Sequence, residues 1–411
     1  MKKKKEEKTP APRRRAVPDI QGLFSQALGY HREGKLAEAE ACYRAILHLA
    51  PDNPDVNCNL AALVSAGGRL DEALECCRRA LAGNPDHINT RLNLGNILKQ
   101  QGRLDEALDE YEGIIARHPD NAQAHFNRGV ILKMGGRIDE AAAAYRRSLA
   151  IDPGTVGAWY NLGIIMKDRG DIEEAVRCFR AAAARDPRNP PVQHLLAALT
   201  GRTTDVAPLK YVRDIYDAYA PGFDYHLTVN LGYRIPAVLR AMFESLPGNE
   251  CRFGNAVDLG CGTGLAGVEF RPLSENLCGI DISPKMIEKA EERGIYDLLI
   301  TGDYVHYLQE TDARYDLFTA TDVFIYAGDL SPVFAAVRRA ALPGAWVAFS
   351  TERFEGEGFT LRRTGRYAHA SRYIRSLAGE YGFSVVGWRD EVIRREDETA
   401  IEGDVVILRR E

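Results

Sequence analysis

From residue 20 to residue 189 the apolar positions follow a helical rhythm, and the rhythm itself recurs every 34 residues. Prolines fall at Pro51, Pro85, Pro119, Pro153 and Pro187, alanines at Ala39, Ala73, Ala107, Ala141 and Ala175. Glycines fall at Gly34, Gly68, Gly102, Gly136 and Gly170, and Tyr43, Cys77, Tyr111, Tyr145 and Phe179 make a large-residue column. Within the last unit Trp159, Leu162, Gly163 and Met166 recur at three- and four-residue steps, as one face of a helix requires. Gly170 interrupts that helix, a second follows with Ala175, Phe179 and Ala182 on its buried face, and Pro187 ends it. Small Gly163 and Ala175 let the two helices approach closely. Each unit is thus predicted as a helical hairpin that cannot bury its apolar face alone and must stack on its neighbours.

After about residue 205 the period ends, and strand-length apolar runs alternate with helical stretches, the signature of a parallel sheet. Strands are predicted near Ala256–Leu259, Leu277–Ile282, Asp297–Ile300, Asp316–Thr321, Trp346–Ser350, Phe383–Trp388 and Asp404–Leu408. Helices are predicted near Arg234–Glu244, Ser283–Glu292, Ser331–Ala341 and Ala370–Tyr381.

Composition narrows the picture little. The chain has 411 residues, 45% apolar and 27% charged, with a net charge of −5, which suits two or three globular domains and gives no polyanion-binding signature. No apolar run reaches membrane-span length, and a cytoplasmic location is expected. The cysteines are scattered, without CxxC pairs or histidines at ligand spacing, so free thiols and no metal are expected. Residues 1–19 open with MKKKKEEKTPAPRRR, too polar to fold alone, and are expected to form a disordered basic tail.

The segment richest in chemistry is Val257-Asp258-Leu259-Gly260-Cys261-Gly262-Thr263-Gly264. A strand runs into alternating glycines and then a helix, which permits a tight turn and close backbone approach to a ligand at the sheet's carboxyl edge. The loop reads GxGxG, with Leu265 where a GxGxxG loop has its last glycine, and it is preceded by an acid. The next strand ends in Gly279-Ile280-Asp281-Ile282-Ser283, so a carboxylate at its tip can accept two ribose hydroxyls. Asp303, in Gly302-Asp303-Tyr304, follows the third strand and either takes an adenine amino group or caps a helix.

Over residues 20–189 the chain resembles the tetratricopeptide repeat, and over residues 208–411 it resembles class I S-adenosylmethionine-dependent methyltransferases, on the motifs DLGCGTG, GIDIS, GD and Pro343-Gly344. The resemblance implies a two-part chain: an all-α repeat solenoid followed by an α/β Rossmann-like domain, with residues 190–207 as capping helix and linker. It implies that Gly260, Cys261, Gly262 and Gly264 line the amino-acid end of S-adenosylmethionine, and that Asp258 meets its ammonium. Asp281 with Ile282 would hold the ribose, and Asp303 with Tyr304 the adenine.

For the transfer step, Asp322 and Tyr326 follow the fourth strand at the edge that faces the methyl in the resembling family, although Asp322 also suits a helix cap. His369 lies in a predicted loop after the fifth strand and can act as a base or as a structural histidine. Tyr216, Tyr219, Phe223, Asp224, Tyr225 and His226 form an aromatic, ionisable segment, read either as a cover over the site or as a packing seam. Arg362, Arg363 and Arg366 are either a carboxylate-attracting group or a solvated cluster.

In the repeats, Asn59, Asn93, Asn127 and Asn161, with Lys99, Lys133 and Lys167, recur on the first helix of their units. Amides at that spacing can bond an extended peptide backbone and lysines can hold carboxylates, as in asparagine ladders of repeat arrays that bind peptides. The expected function is methyl transfer to an oxygen or nitrogen of a small molecule or peptide, with a peptide or protein in the repeat groove. The alternative is an interaction scaffold with a silent cofactor domain. No membrane or nucleic-acid partner is expected.

Overall fold

The computed structural model describes residues 19–246, 252–396 and 399–411. The expected basic tail lies outside them except for Asp19, as does Cys251. The chain forms two compact units, 1–169 and 170–411, so the division falls inside the fifth repeat.

In the first unit the 34-residue period becomes paired helices: Ile20–Arg32 with Leu36–Leu49, Pro54–Ala66 with Leu70–Gly83, Ile88–Gln100 with Leu104–Arg117, and Ala122–Met134 with Ile138–Ile151, followed by Val156–Asp168. The glycine column turns each hairpin, with φ between 74° and 77° at Gly34, Gly68, Gly102 and Gly136. That left-handed backbone is where side chains other than glycine are strained. The alanine and large-residue columns are fully buried at Ala39, Tyr43, Ala73, Cys77, Ala107, Tyr111, Ala141 and Tyr145. The small column has a steric cause: a Cβ on Gly95 would lie 2.6 Å from the Tyr111 ring, and one on Gly129 2.7 Å from Tyr145. Asn53 and Asn121 cap their helices by accepting from the amides of Val56 and Ala124.

The second unit opens with helices Ile172–Arg185 and Pro190–Leu199. The latter is held by His194, whose Nε2 donates to the Gly365 carbonyl at 2.9 Å. The sheet strands are β1 (Phe253–Leu259), β2 (Ser274–Asp281), β3 (Leu298–Thr301), β4 (Tyr315–Ala320) and β5 (Ala341–Glu352). After a small hairpin, β6 (Phe359–Leu361) and β7 (Tyr367–His369), come β8 (Phe383–Glu396) and β9 (Thr399–Arg410). The seven-stranded order is β3-β2-β1-β4-β5-β9-β8, with parallel pairing through β5 and antiparallel pairing of β9 with β5 and β8. Both faces are covered, and adjacent residues alternate between the two cores. Val257, Phe318, Phe349 and Val406 face one, and Ala256, Leu317, Ala348 and Ile407 the other. This places the carboxyl ends of β1, β2, β3 and β4 along one edge.

The expected strand positions agree with the sheet, with two differences. Residues 367–369 form strand β7 rather than a loop, because a three-residue strand carries no periodic signal. Strands β8 and β9 run to 14 and 12 residues, the former continuing through buried Arg394, a charge that interrupts its apolar pattern.

Candidate active site

The loop after β1 carries Gly260, Gly262 and Gly264 at φ 62°, 54° and 96°, a run that only glycine adopts without strain. A Cβ on Gly260 would also lie 2.7 Å from Val323 Cγ2. The Cys261 amide donates to the Ile280 carbonyl at 2.9 Å and the Gly262 amide to Asp281 Oδ2 at 2.9 Å, which pins the loop to the tip of β2. Asp281 Oδ1 accepts from the Ser283 amide at 2.8 Å, and the Ser283 hydroxyl donates to Asp217 at 2.6 Å, tying helix Leu209–Tyr219 to the same point. Burial pushes the Asp281 carboxyl up to about 6 against the pull of its amide donors.

Above this edge lies a cavity of about 440 Å³. Gly260, Cys261, Gly262, Asp281, Ile282, Asp303, Tyr304, Asp322 and Tyr326 all line it, so most of the candidate residues are brought together. Its cover is apolar and aromatic, from Leu209, Val212, Tyr216, Phe223, Leu227 and Tyr233. Of the aromatic segment, Tyr216 and Phe223 therefore face the cavity. Asp224 instead pairs with Arg293 and accepts from the Thr263 hydroxyl, Tyr219 stacks on His226, and Tyr225 is exposed.

Two cofactor candidates stand back from the cavity. Asp258 is buried, with Oδ2 accepting from the Tyr296 hydroxyl at 2.7 Å and Oδ1 from the Thr319 hydroxyl at 2.8 Å. It is not among the lining residues, and the two hydroxyls tie it across the sheet. Burial pushes its carboxyl up to about 6. Gly264 serves packing: a Cβ there would press on Arg293 Cδ at 3.0 Å and Tyr296 at 3.1 Å.

Asp303 caps helix Tyr304–Glu310 by accepting from the Val305 amide at 3.0 Å and also lines the cavity; the cap engages one oxygen. Asp322 caps nothing. Among the described residues it is the non-glycine with positive φ, at 58°, and its amide donates to the Ser350 hydroxyl at 3.0 Å. Its Oδ1 accepts from Arg394 Nη1 at 2.6 Å. Arg394, 1% exposed, also pairs with Glu352, and its Nε lies 2.8 Å from Glu396. Arg366 pairs with Glu396 and Arg362 with Glu352 at 3.3 Å, so those two arginines are committed to carboxylates and line no part of the cavity. Sequence reading missed this cluster because its members lie on separate strands and loops with no shared motif.

His369 stands apart from the cavity. It is fully buried and outside the cavity lining, with Nε2 donating to the carbonyls of Ala327 at 2.9 Å and Gly328 at 3.1 Å. Burial lowers its pKa to about 4, so it is neutral at physiological pH. Tyr326 does face the cavity, its ring edge-on to Tyr216 at 5.7 Å.

In the first unit the asparagine amides are partly committed. Asn59 Nδ2 donates to the Asp55 carbonyl at 2.7 Å, Asn93 Nδ2 to the Cys58 carbonyl at 3.2 Å, and Asn161 Nδ2 to the Gly157 carbonyl at 2.9 Å. Asn127 Oδ1 accepts from Gln123 Nε2 at 3.0 Å. Lys133 donates to Asn161 at 3.1 Å and Lys167 pairs with Asp168 at 2.7 Å. Burial lowers the pKa of Lys99 and Lys133. Among the described residues no His, Cys, Asp and Glu group has the geometry to hold a metal, and no helix is long and apolar enough to cross a membrane.

Known proteins place both parts. Residues 257–349 match the model of a methyltransferase domain, and residues 52–117, 92–155 and 134–199 match tetratricopeptide-repeat models. The chain thus carries tetratricopeptide repeats and a methyltransferase domain. It is similar to a malonyl-[acyl-carrier protein] O-methyltransferase of Erwinia pyrifoliae, 28% identical over 158 residues, covering 36% of this chain and 58% of that protein. A ubiquinone biosynthesis O-methyltransferase of Thiobacillus denitrificans is 28% identical over 116 residues, 26% of this chain and 49% of that protein. The chain thus spans about half the length of these curated relatives. Among solved structures it is similar to the N-methyltransferase NodS of Bradyrhizobium japonicum in complex with S-adenosyl-L-homocysteine. That match has a TM-score of 0.35 and 22% identity, over 43% of this chain and 85% of that one.

Proposed function

We propose that the chain transfers a methyl group from S-adenosylmethionine to an oxygen or nitrogen nucleophile of a small molecule or peptide, and that its repeats bind the peptide substrate or a protein partner. The observation that carries this reading is the clasp of Gly262 on Asp281 at the cavity floor. The residues fit the cofactor: a loop without Cβ atoms leaves room for its amino-acid end, and the acids at the tips of β2 and β3 suit ribose and adenine. When bound, S-adenosylmethionine supplies an electrophilic methyl. Asp281 and Ile282 hold the ribose side, Asp303 and Tyr304 the base, and the Gly260–Gly262 backbone the amino-acid end. The aromatic cover keeps water out and aligns the acceptor, which is most of what the reaction asks of the protein. Asp322 and Tyr326 stand at the acceptor end. Lys99, Lys133 and Lys167 beside the asparagine column suit a peptide with acidic side chains.

Isothermal titration with S-adenosylmethionine, S-adenosylhomocysteine and NAD tests the reading. Micromolar binding of the first two and none of NAD is expected. Failure of the first two to bind would overturn it and leave the repeats as the working part.

A further inference from the structure

The charged residues lining the cavity are Asp205, Asp281, Asp303, Asp322 and Asp329, and no lysine, arginine or histidine is among them. The arginines nearest the β4 tip, Arg394 and Arg366, lie behind the wall and are committed to Glu352, Glu396 and Asp322. Arg394 engages Oδ1 of Asp322, while the carboxylate itself forms part of the wall. Of this cluster, Asp322 is the member that lines the cavity. The rings of Tyr216, Tyr326 and Phe223 surround the same end, with Tyr216 edge-on to Phe223 at 5.9 Å. Tyr233 adds a further buried ring to the lining.

An anionic acceptor brought here would lose water and meet carboxylates without a cation to pair with, a costly arrangement. A cation meets both carboxylate and aromatic faces, which attract it. We propose that the acceptor end of this cavity takes an amine, drawn in as an ammonium by Asp322 and the tyrosine rings. This rests on the methyl-transfer reading above, in which Asp281 and Asp303 are taken up by the nucleoside and Asp322 is left to face the acceptor. As it enters, the ammonium gives one proton to bulk solvent. The freed nitrogen lone pair forms the bond to the methyl carbon as the carbon–sulfur bond breaks with its electron pair on sulfur. The products are a methylated ammonium and S-adenosylhomocysteine.

Sinefungin tests this without knowledge of the natural acceptor, because an amine-bearing carbon stands in it where S-adenosylmethionine has its methylated sulfur, so that an ammonium takes the place of the methyl and points toward the acceptor end. Isothermal titration of the full chain should show sinefungin binding about tenfold tighter than S-adenosylhomocysteine, the scale of one added charge attraction in a half-buried site. In Asp322→Asn, which suits the positive φ, the ratio should shrink to about twofold or less. Equal or weaker binding of sinefungin to the wild type would overturn the proposal, and needs no variant to fold. A ratio unchanged in Asp322→Asn would also overturn it. If neither analogue binds the wild type, the methyl-transfer reading itself has failed, a different and recognisable result.

Discussion

Gly262 donates its amide proton to Asp281 Oδ2 across 2.9 Å, so the glycine loop after β1 and the carboxylate at the tip of β2 hold one another in place. The same carboxylate is buried and pushed up to about 6, which ties the state of the loop to pH.

Cofactor affinity should therefore fall as pH drops through about 6, because a protonated Asp281 is a poorer acceptor for ribose hydroxyls. The loss is at most about tenfold per pH unit for one proton. Asp281→Asn should weaken binding by about tenfold, from lost charge-assisted bonds, and flatten the profile. Stability of the cofactor-free chain runs the other way. A carboxyl raised in the folded state favours folding below its ordinary value, and that contribution is lost as pH rises through about 6. Asp258 behaves alike, so its share remains in Asp281→Asn. Titration calorimetry and thermal denaturation between pH 5 and about 8 check both signs.

His369 should leave the pH profile of transfer unchanged. Its pKa is lowered to about 4 by burial, and its Nε2 is occupied by two carbonyls. His369→Gln should cost stability of about 1–3 kcal/mol through those carbonyls, without removing any ionisation between pH 5 and 8. A limb of the rate profile that vanished with His369 would contradict this.

The repeat was legible because its columns have local causes: turn glycines at positive φ, and glycines that admit a tyrosine ring. The loop and the acids at the strand tips were legible for the same reason, since each motif lies within a few residues of a strand end. The partners of Asp258 were not legible because sequence shows an acid beside the loop but not the direction of its side chain, which Tyr296 and Thr319 capture. The sequence leaves His369 between two roles because the backbone that satisfies it comes from residues about forty positions earlier. The Arg394 cluster joins Asp322, Glu352 and Glu396 only after the sheet has formed, and no spacing along the chain announces it.

Removing that arginine should be among the most damaging single changes in the second unit. Arg394→Met leaves Asp322, Glu352 and Glu396 facing one another in a buried site, at a cost of about 3–5 kcal/mol. Arg394→Lys should recover only part of this, because an ammonium cannot make the spread of contacts that the planar guanidinium makes. Denaturant titration reads both, and equal stability of all three proteins would refute the account.

Glycine-to-alanine changes in the repeats separate two opposing effects. Alanine is the better helix former by about 1 kcal/mol, so each replacement inside a helix has a stabilising component. Gly113, within helix Leu104–Arg117, has open space around it, and the nearest atom to an added Cβ is Arg117 Nη1 at 4.0 Å. Gly113→Ala should therefore raise the denaturation midpoint slightly. At Gly129, in helix Ala122–Met134, the added Cβ would lie 2.7 Å from Cε1 of Tyr145, a fully buried ring. Overpacking there costs about 1–3 kcal/mol and outweighs the propensity gain, so Gly129→Ala should lower the midpoint. If both variants moved the midpoint in the same direction, the close approach of Gly129 to Tyr145 could not be what sets the small-residue column.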